Sequence, residues 1–292
     1  VGDTRTPLIA LAVSGILNVI LNLIFVVIFH MTVNGVAIAT VISNLISSVL
    51  LFTRLCRTNQ SIHIDIKSLR IDTKTLIRIM QIGLPAGIQS AVFAVSNIVI
   101  QVAINSLGTV VMAASGAAYN IEIFNYDILN AYSQACTTFV GQNSGAGNMQ
   151  RCRKTFILCL AEGFFILASV LTMILFFGKN LLAVFNNDPE VVSIGYQRLL
   201  IVMLAHSFSF FYEVMSGYLR GFGISLVPAI LTTVGVCGVR IAWIEFVFPK
   251  SETFRTIMTA YPISLSVTAF MILVALICYH PSRRFKKEGD GN

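Results

Sequence analysis

Charged residues are scarce in this sequence, where Asp, Glu, Lys and Arg together make up 11% of 292 residues. Soluble globular domains carry about a quarter of such residues, so the composition excludes a water-soluble globule. Apolar residues make up 56% of the chain, and the mean hydropathy is +0.81. The chain is therefore predicted to lie mainly in a lipid bilayer.

Motifs for metals, cofactors and catalysis are also missing. The six cysteines contain no CxxC pair, and the four histidines are dispersed. The sequence has no HExxH, GxSxG or paired-aspartate motif, which argues against an integral membrane enzyme. The string VGQNSGAGN has neither the GxGxxG nor the Walker spacing of a nucleotide site. We therefore predict a protein that is not an enzyme and has no cofactor.

Long hydrophobic runs dominate the sequence instead. A helix needs about 20 apolar residues to cross the hydrocarbon layer of a membrane, and eight stretches are long enough. Continuous runs without period-two alternation exclude a β-barrel, so these spans must be helices. The predicted fold class is all-α integral membrane. The spans are approximately 8–30, 34–54, 79–107, 110–141, 155–177, 193–219, 227–248 and 257–279.

Positive charges fall mostly on one side of these predicted helices. If eight helices alternate in direction, fifteen of the 20 Lys and Arg residues share one side, and the other side receives only Lys179, Lys250 and Arg255. Because cytoplasmic loops are enriched in Lys and Arg, both ends of the chain are predicted to be cytoplasmic, in a multi-pass protein of the cell (inner) membrane. The net charge of +7 then needs no nucleic-acid partner.

The first stretch of the chain is repeated near its end at a fixed offset of 221 residues. Internal repeats are common in secondary transporters, so the repeat predicts a two-lobed membrane carrier. The matching pairs include Gly2 and Gly223, Pro7 and Pro228, Ile20 and Ile241, Phe25 and Phe246, Ala39 and Ala260, and Ser43 and Ser264.

The longest polar connection divides two predicted helices from six. If the first helix repeats as the seventh, the repeat unit is six helices, and four helices of the first lobe are expected to precede Val1 in a longer protein. The predicted domains are 1–57, the last two helices of an N-terminal lobe; 58–75, a cytoplasmic linker; and 76–292, a complete C-terminal lobe with a short basic tail.

Several strings resemble successive landmarks of the MATE (multidrug and toxic compound extrusion) transporters. They are GDTRTPLIALAVSGILNVILNLIFVV and NGVAIATVIS at the start, IGLPAGIQSAV, VGQNSGAGN followed by Arg151, and GYLRGFGISLVPAIL. The resemblance implies twelve helices in two lobes around a V-shaped cavity. It also implies export of cationic or other amphiphilic compounds by alternating access, in exchange for Na⁺ or H⁺. Some sodium-coupled members have an acidic residue eleven positions before Arg220, where this chain has Ser209.

Candidate binding residues lie on the fourth and sixth predicted helices, because polar groups in a membrane usually face a cavity or a partner. On the fourth helix, one face around Glu122 could bind a cation, a proton or a cationic substrate, and its aromatic rings could stack on that substrate; a structural hydrogen-bond network is the alternative. On the sixth helix, Glu213 is either a coupling carboxylate or the ion-pair partner of Arg220. A Na⁺ ion could bind near Glu122 or near Glu213. The candidates are Tyr119, Glu122, Asn125, Tyr126, His206, Ser209 and Glu213.

The remaining intramembrane charges are interpreted as structural. Arg198 and Glu245 are predicted to form a salt bridge, and Arg240 to need a carboxylate or several carbonyl groups. Glu162 is expected to pair with Arg220 or with the cluster near Arg151. His206 is interpreted as a packed, hydrogen-bonded histidine rather than a proton relay.

Carboxylates outnumber arginines among the residues counted inside the spans, which favours cationic small-molecule substrates. A lipid-linked oligosaccharide flippase of related architecture, expected to have a more cationic cavity, and an inactive fragment are the alternatives. The expected partners are the lipid bilayer and small molecules, and the expected state is a monomer.

Overall fold

The computed structural model describes residues 5–58, 62–68 and 70–281, and within them the chain is almost entirely helical. The chain divides into two compact units, Val1–Leu76 (unit 1) and Ile77–Asn292 (unit 2). The predicted basic tail, at 283–287, lies outside the described residues. The helices are α1 (Arg5–Leu23), α2 (Val33–Arg57), α3 (Thr73–Asn105), α4 (Thr109–Gly145), α5 (Met149–Ala183), α6 (Pro189–Gly221), α7 (Leu226–Thr232), α8 (Val239–Phe246) and α9 (Phe254–Tyr279).

In unit 1, α1 packs against α2 through small residues. Gly35, Ala39, Ser43 and Ser47 recur every four positions, which places them on one face of α2, and all four are buried. The Ser14 hydroxyl of α1 donates a hydrogen bond to the carbonyl of Ser43 at 2.9 Å. Small residues allow helix backbones to approach closely in a membrane.

In unit 2, α6 is the central helix. Its buried residues lie on most of its circumference and include the fully buried Leu199, Val202, Phe210 and Leu219. The hydrophobic core joins α6 to its neighbours α4, α5 and α9. Because α6 contacts several helices at once, it positions the side chains described below.

Helix starts follow local sequence signals. Asp188 accepts a hydrogen bond from the backbone N–H of Glu190, and Pro189 occupies the first turn of α6. Asn148 caps α5 in the same way. These side chains satisfy N–H groups that have no partner inside the helix. A π-helical segment, Thr233–Gly238, joins α7 to α8 within a single membrane span.

The all-α membrane fold predicted from the sequence is confirmed, with one difference in the number of spans. Within the described residues, seven spans are long and apolar enough to cross a membrane. The remaining predicted span, 110–141, corresponds to α4, which is long enough but is not one of those seven. Its sequence carries many polar groups, including Glu122, Asn125 and Asp127. Several of these groups face other helices rather than lipid.

The two copies of the sequence repeat bury equivalent positions. Ala39 and Ser43 are buried in α2, and their counterparts Ala260 and Ser264 are buried in α9. The pattern extends to Ser47 and Thr268, which differ in sequence but share the offset and are both buried. The repeat is therefore preserved in helix packing as well as in sequence.

Candidate functional site

Unit 2 contains a cavity of about 540 Å³, within the size range of small-molecule sites. It lies among α3, α4, α6, α8 and α9, and most of the predicted site residues line it. We call it the unit 2 cavity. Its lining residues are Gln89, Ser90, Phe93, Ala94, Asn97, Tyr119, Glu122, Ile123, Tyr126, Asn130, Arg198, His206, Ser209, Tyr212, Glu213, Arg220, Arg240, Tyr261 and Leu265.

Glu122 and Arg198 form a buried ion pair between α4 and α6. Arg198 donates from Nε to Glu122 Oε1 at 2.7 Å and from Nη2 to Oε2 at 2.8 Å, which is the bidentate geometry of strong carboxylate recognition. The two residues are 5% and 3% exposed. The prediction that Arg198 pairs with Glu245 is therefore wrong. The Arg198 guanidinium is bound to the Glu122 carboxylate, and Glu245 is exposed.

Asn125 and His206 connect the same two helices further along, about one turn beyond Glu122 on α4 and about two turns beyond Arg198 on α6. The Asn125 side-chain nitrogen lies 2.8 Å from His206 Nδ1, and both residues are buried. The predicted hydrogen-bonded histidine is thus seen in the structure. The buried Oδ1 atom of Asn125 has no hydrogen-bond partner within the described residues, which is uncommon for a buried polar atom.

A second ion pair joins Glu213 to Arg220, one of the two predicted arrangements for Glu213. Arg220 Nη2 lies 3.3 Å from Glu213 Oε2 and also donates to the Ser133 hydroxyl at 3.0 Å. Ser133 in turn donates to the Glu213 carbonyl at 2.7 Å. The Arg220 and Glu213 side chains are 35% and 12% exposed, so water reaches this pair more readily than the Glu122 pair.

Arg240 has no carboxylate partner among the described residues. Its Nε donates to the Ser264 hydroxyl at 3.1 Å, and its guanidinium carbon lies 4.4 Å from the centre of the Tyr261 ring. The predicted requirement for a carboxylate or several carbonyls is therefore wrong. A hydroxyl group and an aromatic face take that place, since a guanidinium can stack on the negative face of a ring.

The other intramembrane carboxylates lie away from the cavity. Asp127, Glu162 and Glu245 are exposed and do not line it. Within the described residues Glu162 forms no ion pair, so its predicted partnership with Arg220 or Arg151 is absent. The excess of carboxylates over arginines that was counted in the membrane spans therefore does not hold for the cavity. Two carboxylates, Glu122 and Glu213, and three arginines line it.

Several lining residues were not predicted from the sequence. Gln89, Phe93 and Asn97 follow one another at four-residue spacing and present one face of α3 to the cavity. The two amides, Gln89 and Asn97, lie on one face of a membrane helix, and this pattern could have indicated that α3 lines a polar cavity. Tyr261 stands just before Pro262 and gave no comparable signal. Within the described part of the chain, no group of three or more His, Cys, Asp or Glu residues is placed to hold a metal ion.

Helices of membrane length thus surround a polar, charged cavity in unit 2. The family model described as MatE matches residues 85–244, which is more than half of the chain. The chain belongs to the MATE family of transporters, as its sequence landmarks predicted.

Named relatives agree with this assignment. A probable multidrug resistance protein NorM of Thermotoga maritima is 27% identical over 259 residues, which cover 85% of this chain and 54% of that protein. A FAD transporter of Shewanella oneidensis is 29% identical and is matched over 65% of this chain and 43% of its own length. The chain thus spans about half the length of the curated relatives it matches.

Solved structures show the same fold. A MATE protein crystallised in the bent conformation has a TM-score of 0.83 at 17% identity, covering 98% of this chain and 64% of that one. A MOP superfamily transporter from Pyrococcus furiosus, described as having reverse polarity of its binding pocket, has a TM-score of 0.79 at 18% identity, covering 94% and 62%.

Proposed function

We propose that this chain belongs to a multidrug-type exporter that works by alternating access. In this proposal residues 1–57 are the last two helices of an N-terminal lobe, 58–75 are a cytoplasmic linker, and 76–292 form the C-terminal lobe, with both ends of the chain cytoplasmic. The family match and the relatives named for multidrug resistance support it.

The observation that carries the proposal is the charged cavity inside unit 2. Charged groups in a membrane are costly and usually serve a pathway or a partner. Here Glu122, Glu213 and three arginines surround a space of drug-sized volume, together with Phe93, Tyr119 and Tyr126. Amphiphilic substrates suit such a lining, because the rings can stack on an apolar body while the charged groups fix its polar end.

Coupling to Na⁺ or H⁺ is part of the proposal. Within unit 2, Glu213 is the better candidate for a coupling carboxylate, because its arginine partner is partly exposed and sits at 3.3 Å. The Glu122 carboxylate is held in a bidentate pair, and a coupling ion would first have to compete with Arg198.

Transport by the intact protein in proteoliposomes tests the proposal. We expect an imposed Na⁺ or proton gradient to drive movement of an amphiphilic dye, either cationic rhodamine 6G or anionic carboxyfluorescein. Glu213→Gln should reduce this movement about tenfold or more while the protein remains folded, because Arg220 is 35% exposed to solvent and keeps its hydrogen bond to the Ser133 hydroxyl. Asp127→Asn, which changes an exposed carboxylate, is the matched control.

The absence of gradient-driven movement of both dyes would contradict the proposed transport function. Unchanged transport by Glu213→Gln would instead remove Glu213 from the coupling mechanism and leave the family-level proposal in place.

A further inference from the structure

We infer that the unit 2 cavity binds the acidic group of an amphiphilic organic anion, a carboxylate, phosphate or sulfonate, and that Arg240 is the residue that receives it. This inference rests on the proposed transport function and names its substrate class. It reverses the preference for cations that the sequence count of acidic residues suggested.

The two carboxylates of the cavity are already neutralised. Glu122 is paired with Arg198 through two hydrogen bonds, and Glu213 is paired with Arg220. A cationic substrate would have to compete with an intramolecular arginine for either acid. At Glu122 the displaced Arg198 would be left buried without its partner, so the exchange would cost about as much as it gained.

Arg240 is the cation that remains. It is 7% exposed, and of its five N–H donors only Nε is used, in the hydrogen bond to Ser264. Its Nη groups have no hydrogen-bond partner among the described residues, and its side chain lines the cavity. A buried charge without a counter-ion is unfavourable, so an anion in the cavity would gain both the charge interaction and the unused donors.

The surroundings fix the orientation of Arg240. Tyr261 lies against its guanidinium, with the ring centre 4.4 Å from the guanidinium carbon, and Ser264 holds Nε. The Arg198 guanidinium carbon lies 5.8 Å from the centre of the same ring, so a second positive group stands nearby. With Nε and one face occupied, the two Nη groups present a pair of parallel donors, which matches two oxygens of a carboxylate or phosphate.

The rest of the cavity indicates an aromatic or apolar body. Phe93, Tyr119 and Tyr126 contribute rings from α3 and α4, and Leu265 adds an apolar side chain from α9. The volume of about 540 Å³ suits a compound of drug size. A planar, ring-containing anion satisfies both parts of the lining.

Two xanthene dyes of similar size and opposite charge test the inference directly. Binding of carboxyfluorescein and of rhodamine 6G to the purified intact protein is measured by fluorescence polarisation, independently of transport. We expect wild-type protein to bind carboxyfluorescein more tightly than rhodamine 6G. Arg240→Gln should weaken carboxyfluorescein binding about tenfold, the effect of losing one charge-assisted hydrogen-bonded contact, while rhodamine 6G binding stays the same or becomes tighter.

Two further variants separate charge from structure. Arg240→Lys retains the positive charge but loses the pair of parallel donors and the stacking on Tyr261, so its carboxyfluorescein binding should lie between that of wild type and that of Arg240→Gln. Arg255→Gln removes an exposed arginine in the first turn of α9 and should change neither dye.

Tighter binding of rhodamine 6G than of carboxyfluorescein by wild-type protein would overturn the inference, even if Arg240→Gln failed to fold. Equal carboxyfluorescein binding by wild type and a folded Arg240→Gln would do the same. Arg240-dependent binding of carboxyfluorescein without gradient-driven transport would support the anion site and contradict the proposed transport function, so the two failures are distinguishable.

Discussion

At the scale of single residues, the Glu122–Arg198 pair changes what a mutation at Glu122 should do. The sequence offered Glu122 as a ligand for a cation or a cationic substrate, with a structural hydrogen-bond network as the alternative. In the structure the carboxylate is 5% exposed and holds Arg198 through two short hydrogen bonds. Its removal leaves a buried guanidinium without a counter-charge, so the first effect should be on stability.

We predict that Glu122→Gln lowers the free energy of unfolding by about 3–5 kcal/mol, measured by thermal or denaturant unfolding of the purified protein in detergent. Asp127→Asn, on the exposed side of the same helix, should change it by less than ~0.5 kcal/mol. The double variant Glu122→Gln, Arg198→Gln should be more stable than Glu122→Gln alone, because no unpaired charge remains. If Glu122→Gln is as stable as Asp127→Asn, the Glu122–Arg198 pair does not stabilise the packing of α4 against α6.

The sequence located these residues better than it paired them. Spacing on a helix predicted that Glu122 and Tyr126 share a face, and both line the cavity. Pairing Arg198 with Glu122 required the distance between α4 and α6, which are 76 positions apart in the chain at this pair. Judged by depth in the membrane, Glu245 was an equally good partner for Arg198. Only the packing of α6 against α4 shows that the partner is Glu122.

At the scale of helices, the contact between α4 and α6 depends on a glycine. A Cβ atom added at Gly217 would lie 2.5 Å from the carbonyl oxygen of Ser133, which is backbone and cannot rotate away. The same serine bonds to Glu213 and Arg220. The close approach at Gly217 therefore positions one end of the cavity lining.

We predict that Gly217→Ala separates α4 from α6, lowers thermal stability and weakens dye binding in the unit 2 cavity. Gly116→Ala is the matched control, because it makes the same change on α4 at a position where an added Cβ meets no atom within 4 Å. Alanine favours a helix by up to ~1 kcal/mol over glycine, so the control should be unchanged or slightly more stable. Equal behaviour of the two variants would contradict a tight contact at Gly217.

Helix positions were largely predictable, because membrane-length apolar runs have few alternative structures. The predicted span 193–219 corresponds to α6, Pro189–Gly221, and the Asp188-Pro189 start shows why the helix begins slightly earlier. The π-helical segment Thr233–Gly238 was not predictable. It changes the backbone register just before Arg240, and therefore changes which side chains face the cavity.

At the scale of the whole molecule, the membrane topology depends on whether α4 crosses the membrane. Its 37 residues correspond to roughly 55 Å of helix, well beyond the ~30 Å of the hydrocarbon layer. Its composition nevertheless separates it from the seven apolar spans of the described residues. The polar side chains account for this difference, since Glu122 and Asn125 are buried against α6 and Tyr119 and Tyr126 line the cavity.

Whether α4 crosses the membrane can be determined from the number of helices that cross it between two loops. Three long helices, α3, α4 and α5, separate Lys67 from Asn187, and both residues are exposed. If α4 spans the membrane, an odd number of crossings places the two positions on opposite sides. If it does not, α3 and α5 alone return the chain to the same side.

We predict that, in the intact protein with its native cysteines replaced, a cysteine at Lys67 is labelled by a membrane-impermeant maleimide only from the cytoplasmic side, and a cysteine at Asn187 only from outside. The bias of Lys and Arg towards one side gives the direction, because cytoplasmic loops retain positive charge. A cysteine at Lys250 should label with the Asn187 position, since α6 and the α7–α8 span lie between them. Labelling of Lys67 and Asn187 from the same side would mean that α4 does not cross, and the two-lobed, twelve-helix arrangement would then fail, because its six-helix repeat requires that crossing.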